Sequence, residues 1–413
     1  MTKSHFLLAL RIAVAAGGLA YIGLTLTWSD HVLAPEGTVL PDGSTLDEPT
    51  AFTVVEGKLG RTSDGPPIRL LVPSNGQQQA FTMTVELAQL GSEEDVFQPR
   101  PGVVTTLRGA RVGLLLLALI MIGPIYPIQS IRWWMLMRSR GLTVTPWKSF
   151  RLVMVGCFFN YCMPGTTGGD VLKAYYAAKN SGRRADAVMS VVFDRITGLL
   201  GLIVLGGVAG LCMLDDVRAR PVTAFIWSLA GFLGLAAAVY FTPMLRRRLG
   251  VNWLVSHLPG RRLLESVDRA AVAYRHHKRE IVLAILISVG VHLCLTIATS
   301  MVGYALGVTH RMGLLITVLP VLFVGAAVPI SYQGLGIMEG IGIPLLVSPS
   351  LCTANQLISM LVLLRLFMVV YALAGALFLL RGDIHMHPQE IGEEAETTES
   401  ISTTSSPAAP APS

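Results

Sequence analysis

Residues 155–178 read VGCFFNYCMPGTTGGDVLKAYYAA, apolar at both ends and broken in the middle. The break holds Asn160, Pro164, Gly165, Gly168 and Gly169, with Asp170 and Lys173 just after it. Proline removes a backbone donor and glycine relaxes the backbone, so one continuous helix does not run through these residues. In a bilayer, irregular backbone persists only where protein buries it or where it lines a wet cavity. An ionisable side chain at that depth is costly and marks a functional position by default. The stretch therefore predicts a broken, re-entrant hairpin that carries a carboxylate into the membrane.

The rest of the chain has the composition of a membrane protein. Hydrophobic residues make up 52% of the 413 and charged ones 14%, against about 25% charged in a soluble domain. Mean hydropathy is +0.58. The net charge of +6 sits in Lys and Arg beside apolar spans, the positive-inside pattern, and predicts no nucleic-acid partner. Cys157, Cys162, Cys212, Cys294 and Cys352 lie in or next to apolar segments and are expected as packing residues. No cofactor or metal is expected.

Upstream of the break, an apolar run from Phe6 to Trp28 follows Lys3. A cleaved signal peptide competes with an uncleaved first helix, but Pro35 follows the small-residue site near Ala34. Residues 1–29 are therefore read as a first transmembrane helix. Residues 30–107 form a polar insert with β-like runs at 51–57, 68–72 and 80–87, expected outside the cytoplasm. A second span, 112–136, contains Pro124 and Pro127 and predicts a kink. Arg132, Arg138, Arg140, Lys148 and Arg151 then mark the cytoplasmic side, as Lys179, Arg183 and Arg184 do after the hairpin.

Downstream, spans are expected at 187–214, 222–241, 281–306 and 358–380. The basic segment 246–280 places Leu263, Val267, Ala270 and Tyr274 on one helical face. That pattern predicts a helix on the inner leaflet, attracted to anionic lipid. The tail 381–413 is acidic, then rich in Ser, Thr, Ala and Pro, and is expected to be disordered.

A second interrupted segment, PISYQGLGIMEGIGIPLL, occupies 329–346. Gly165 and Asp170 align with Gly334 and Glu339 at an offset of 169, and Arg195 aligns with Arg365 at 170. The two repeats span about 144–214 and 308–380 of a membrane domain at 108–380. Three spans lie between the hairpins, so the second is expected to enter from the opposite face and leave the tail in the cytoplasm. A full crossing by 313–330 is the alternative. The fold expected is an all-α polytopic membrane protein with about six full spans, two opposed hairpins and a small β-rich insert.

The motif N-x-x-x-P-G-x-x-G-G-D-V-x-K-A-Y-Y (160–176), then F-D-R-x-x-G-L (193–199) and Q-G-L-G-x-x-E (333–339), carries a family resemblance. It resembles the flippase-like membrane domain of lysylphosphatidylglycerol synthases and its stand-alone relatives, over about 110–380. The resemblance implies movement of an amphipathic lipid between leaflets of a bacterial-type cytoplasmic membrane. Lys173 stands where Arg is common in the family, and Met338 fills a position that is often Arg. The insert is unusual, and no aminoacyl-transferase domain accompanies the membrane domain, so synthase activity is not carried over.

The expected substrate-binding residues are Asn160, Pro164, Gly165, Gly168, Gly169, Asp170, Lys173, Asp194, Arg195, Gly334, Gly336, Glu339 and Arg365. The glycines let backbone N–H groups approach a phosphate, aided by the helix start near Asp170. Arg195 and Arg365 can hold phosphate bidentately. Asp170 and Glu339 can hold a cationic headgroup or a proton. The competing view is that these charges only pair with one another, Asp170 or Asp194 with one Arg and Glu339 with the other. Lys173 and Arg183 read as snorkelling anchors. Two other functional classes stay open: an integral-membrane enzyme on lipid-linked substrates, and a non-transporting envelope scaffold. The scattered His residues show no metal-site spacing, and no catalytic residue is assigned.

Overall fold

The computed structural model describes residues 16–40, 43–56, 68–72, 81–85, 97–162, 168–179, 183–248, 268–308, 312–328, 331–348 and 351–380. Pro164, Gly165, Leu263, Val267, the start of the first helix and the tail lie outside the described residues.

The protein is a multi-pass helical membrane protein with a small sheet near its N-terminus. Helix α1 (Ala16–Thr25) leads into the sheet. Its strands are β1 (His31–Ala34), β2 (Thr50–Glu56), β3 (Ile68–Val72), β4 (Phe81–Val85) and β5 (Gln98–Arg100). They lie in the order β4-β3-β2-β1-β5, each neighbour antiparallel. Alternation sends Val32, Ala34, Phe52, Ile68, Leu70 and Val85 into one small core. The three strands expected from sequence are β2, β3 and β4. β1 and β5, four and three residues long, are additional. Runs that short, ended by Pro35 and Pro101, carry no readable period of two.

Short α2 (Val103–Arg108) returns the chain to the bundle. The bundle continues through α3 (Val112–Ile122), α4 (Ile125–Ser139), α5 (Pro146–Cys162), α6 (Gly168–Lys179), α7 (Arg184–Leu211), α8 (Ala219–Phe241) and α9 (Pro243–Arg248), then α10 (Lys278–Ala305), α11 (Met312–Ala327), α12 (Ile337–Leu346) and α13 (Ala354–Leu380). Among the described residues, five stretches are long and apolar enough to cross a membrane: α3–α4, α7, α8, α10 and α13. At 1.5 Å per residue the 28-residue helices reach about 42 Å, more than the ~30 Å of hydrocarbon. The expected kink falls at Gly123 and Pro124, between α3 and α4. Helix α7 is the most buried span, and α8 the least.

Contacts sort the helix ends into two groups. At the sheet end, Asn355 at the start of α13 hydrogen-bonds to Thr27 and to the Pro101 carbonyl, each at 2.8 Å. Nearby, the Arg111 N–H donates to the Ala305 carbonyl at 2.9 Å, joining α3 to the end of α10. Met213 packs on Gly313 at the start of α11, and the Cys352 thiol donates to Leu346 at the end of α12. At the opposite end, Arg140 pairs with Asp186 at 2.7 Å, and Trp147 and Phe150 of α5 pack on Phe378 of α13. Ala177, near the end of α6, is buried there with Met137 and Leu142. Thus α5–α6 begins and ends away from the sheet, and α11–α12 begins and ends beside it.

Of the apolar face expected in the basic segment, Ala270 and Tyr274 are buried together against Leu136 and Phe193. Burial raises the Tyr274 phenol above its ordinary pKa, and its hydroxyl donates to the Leu136 carbonyl at 3.2 Å.

Candidate functional site

Helices α5 and α6 pack backbone to backbone where Gly169 meets Gly156. A Cβ on Gly169 would lie 1.9 Å from the Gly156 carbonyl oxygen, so only glycine fits. Asn160 Oδ1 accepts the Gly169 N–H at 2.9 Å, satisfying one of the donors that a helix start leaves open. Gly168 is the first residue of α6 and Asp170 lies in its first turn, where the helix dipole favours a carboxylate.

Asp170 opens a chain of charges that reaches into the bundle. Arg195 of α7 pairs with it through Nε and Nη2. Lys173 Nζ lies 3.7 Å from Asp170 Oδ1 and 3.7 Å from Asp194 Oδ2, and 4.9 Å above the Trp133 ring. Asp194 Oδ1 accepts Arg132 Nε at 2.9 Å, and Arg132 Nη1 donates to Ser288 Oγ at 2.5 Å. Arg132, Lys173 and Asp194 are buried, whereas the Arg195 side chain is 43% exposed. The cluster holds three cations and two carboxylates, a formal excess of one positive charge.

The second half builds a simpler copy. The backbone turns through Gln333, Gly334 and Gly336, all at positive φ (51°, 70° and 82°), and α12 starts at once. Glu339 sits in the first turn of α12 as Asp170 does in α6. Its Oε2 accepts the Gly336 N–H at 2.8 Å. Arg365 of α13 grips both carboxylate oxygens, at 2.5 and 3.3 Å. Each half thus clips a short helix to the following long one by a carboxylate–Arg pair. The pairs are 25 and 26 residues apart in sequence.

The last turn of α5 touches the second break. Gln333 Nε2 donates to the Asn160 carbonyl at 3.0 Å, and the Tyr332 hydroxyl donates to the Tyr161 carbonyl. Helix α1 closes on the same place: a Cβ on Gly18 would lie 2.8 Å from Gly336 Cα.

These contacts correct several readings of the sequence. The partners left open in the sequence are Arg195 for Asp170 and Arg365 for Glu339. Lys173 is not a snorkelling anchor, because it is 8% exposed and bridges two carboxylates. Arg132 is not a marker of the cytoplasmic face. It is 3% exposed inside α4 and holds Asp194. Sequence reasoning missed it because a run of Arg follows it, which hid a lone Arg beside Trp133 within an apolar helix. Arg183 donates to the Arg140 carbonyl. Gln333 and Ser288 were also missed, since neither residue type carries a signal of its own.

A family model described as the lysylphosphatidylglycerol synthase TM region matches residues 102–375. The match takes in both breaks and every charge of the two clusters, and leaves out α1 and the sheet. No curated protein and no solved structure matches the chain.

Proposed function

The chain belongs to the lysylphosphatidylglycerol synthase TM region family, a membrane family linked to lipid handling, and from that premise we propose that it is a lipid flippase. The reading is carried by one observation: two broken segments each have a first-turn carboxylate clipped to an Arg on the next span, and the end of α5 in the first touches the Tyr332–Gln333 turn of the second. Paired interrupted segments at corresponding positions of two halves frame the central site of many transporters.

A headgroup crossing about 30 Å of hydrocarbon needs polar partners at mid-depth. The Asp170 cluster supplies them with an excess cation, which suits a lipid phosphate. Arg195, the exposed member, exchanges Asp170 for the phosphate, while Lys173 holds Asp170 and Asp194 in place. Loss of the Asp170–Arg195 clip frees α6 from α7, and the matching clip of Glu339 and Arg365 serves α12. In this reading α5–α6 enters from the cytoplasm and α11–α12 from outside, with the sheet outside and the membrane the cytoplasmic one. The basic segment 246–280 rests on anionic lipid of the inner leaflet.

The test is purified protein in sealed vesicles containing a headgroup-labelled anionic phospholipid, with a membrane-impermeant quencher outside. Wild type should bring both leaflets within reach of the quencher, and Asp170→Ala and Arg365→Ala should not, at equal protein incorporation. Full redistribution by both variants overturns the site. Conversion of the labelled lipid into another molecule in detergent overturns the transport reading in favour of an enzyme.

A further inference from the structure

Helix α10 carries a polar row that the two clips do not use. Ser288, His292 and Thr296 recur every four residues and share one face. Ser288 and Thr296 are fully buried. Ser288 Oγ accepts a hydrogen bond from Arg132 Nη1 and its O–H donates to the Ala284 carbonyl at 2.7 Å. Beyond it, His292 Nδ1 and Thr296 Oγ1 are buried with no hydrogen-bond partner among the described residues. The imidazole hydrogen-bonds to the Gly198 backbone, and unpaired buried oxygens occur also at Thr106, Ser331, Ser348 and Ser359. What sets this row apart is that its two unpaired atoms, each costly to bury, follow an Arg-bound serine on one helix face.

The row connects to the charge chain at Gly198. A side chain there would start 3.5 Å from Arg132 Nη1 and 4.0 Å from His292 Nε2, and its absence lets guanidinium and imidazole face each other. Arg132 on α4 is the charged group facing the ring. Asp194 stands one turn before Gly198 on α7 and is held by Arg132 and Lys173. Neither α3 nor α11 carries an ionisable side chain. On α13, Arg365 is taken by Glu339, and the Tyr371 hydroxyl donates to Leu119. On α4, the Tyr126 hydroxyl is directed at Met368.

We propose that His292 is a proton-binding site whose occupancy sets the state of the Asp170–Arg195 clip, so that a proton gradient drives the lipid movement proposed above. Burial and the facing Arg132 both oppose a proton on His292, so it enters only from the acidic side of a gradient, and once there it sets a second cation against Arg132 in a medium of low dielectric. Arg132 is driven off the Gly198 side and its hold on Asp194 changes. Asp194, shared with Lys173, draws that ammonium away from Asp170. Ser288 and Thr296, whose hydroxyls both donate and accept, extend the row on either side as stations for the proton. The coupling claim rests on the flippase reading; the His292 switch does not.

Sealed vesicles are given an imposed pH gradient, and labelled anionic phospholipid is followed in wild type and His292→Gln. Wild type should redistribute lipid faster with the gradient than without, and His292→Gln should lose that response while still equilibrating lipid at symmetric pH. Gradient-independent movement by wild type, or a wild-type response in His292→Gln, overturns the proposal. A second readout needs no transport. Val171→Cys, exposed beside Asp170, is placed in both proteins after removal of the native cysteines, and its reaction rate is compared across pH in detergent. The ratio of the two rates should change with pH if His292 controls the clip. A flat ratio overturns the proposal. If no protein moves lipid, the flippase reading fails, and this ratio alone decides the His292 switch.

Discussion

Substituting Glu339→Gln isolates the clip of the second half. The Glu339 side chain is fully buried and that of Arg365 is 16% exposed. Glutamine keeps the shape and an oxygen for the Gly336 N–H, so the loss falls on the charge. Removing one partner of a buried ion pair costs about 3–5 kcal/mol, because the other charge is stranded. Partial exposure of Arg365 puts this case near the lower bound, about 3 kcal/mol, which is roughly a hundredfold in the folded-to-unfolded ratio. Arg365→Met added to Glu339→Gln removes the stranded charge at similar volume and should recover all but about 1 kcal/mol. Unfolding by SDS in mixed micelles, run as a double-mutant cycle, reads the coupling directly. A single-variant loss below about 1 kcal/mol, or a double variant less stable than either single, refutes the reasoning. The stable double variant should still be inactive in lipid redistribution, which separates the fold from the function.

Other outcomes follow from the same contacts. Gly169→Ala should sharply reduce folded protein on size-exclusion of membrane extracts, since its Cβ would meet the Gly156 carbonyl at 1.9 Å. Gly340→Ala, with nothing within 4 Å, should be neutral or stabilising by up to about 1 kcal/mol. Lys173→Met should weaken capture of vesicles containing anionic headgroups and flatten its salt dependence, because it removes the excess charge of the Asp170 cluster. Gln333→Ala should loosen the contact between α5 and the second break by about 1 kcal/mol and raise the hydrogen exchange of residues 331–336, seen by mass spectrometry.

Legibility in the sequence tracked how local each signal was. Long apolar runs, the Gly/Pro breaks and the offset between Asp170 and Glu339 are visible as spacing, and they led to the spans and to the two clips. What spacing cannot give is the third partner. Asp194 was visible as a charge in a span, but its holder, Arg132, lies 62 residues away on α4, and a positive-inside reading accounted for it too cheaply. Lys173 sits on α6 where an anchor would, and only the packing of α7 and Trp133 around it makes it a buried bridge. Among the described residues, the strands at His31–Ala34 and Gln98–Arg100 pair with β2 and with each other, and their three or four residues are too short to show a period of two. Gln333 acts through a backbone conformation at positive φ that its residue type does not predict.

The central claim is that two broken segments enter the membrane from opposite faces and meet at one polar site. Single cysteines at Thr143, Lys179, Met312 and Ser348, in a background lacking the native five, bracket the two segments. In sealed cells an impermeant thiol reagent should reach positions 312 and 348 from outside and neither 143 nor 179, and lysis should expose the latter pair. If the two ends of either segment label from opposite faces, that segment crosses fully and the opposed-hairpin account is contradicted.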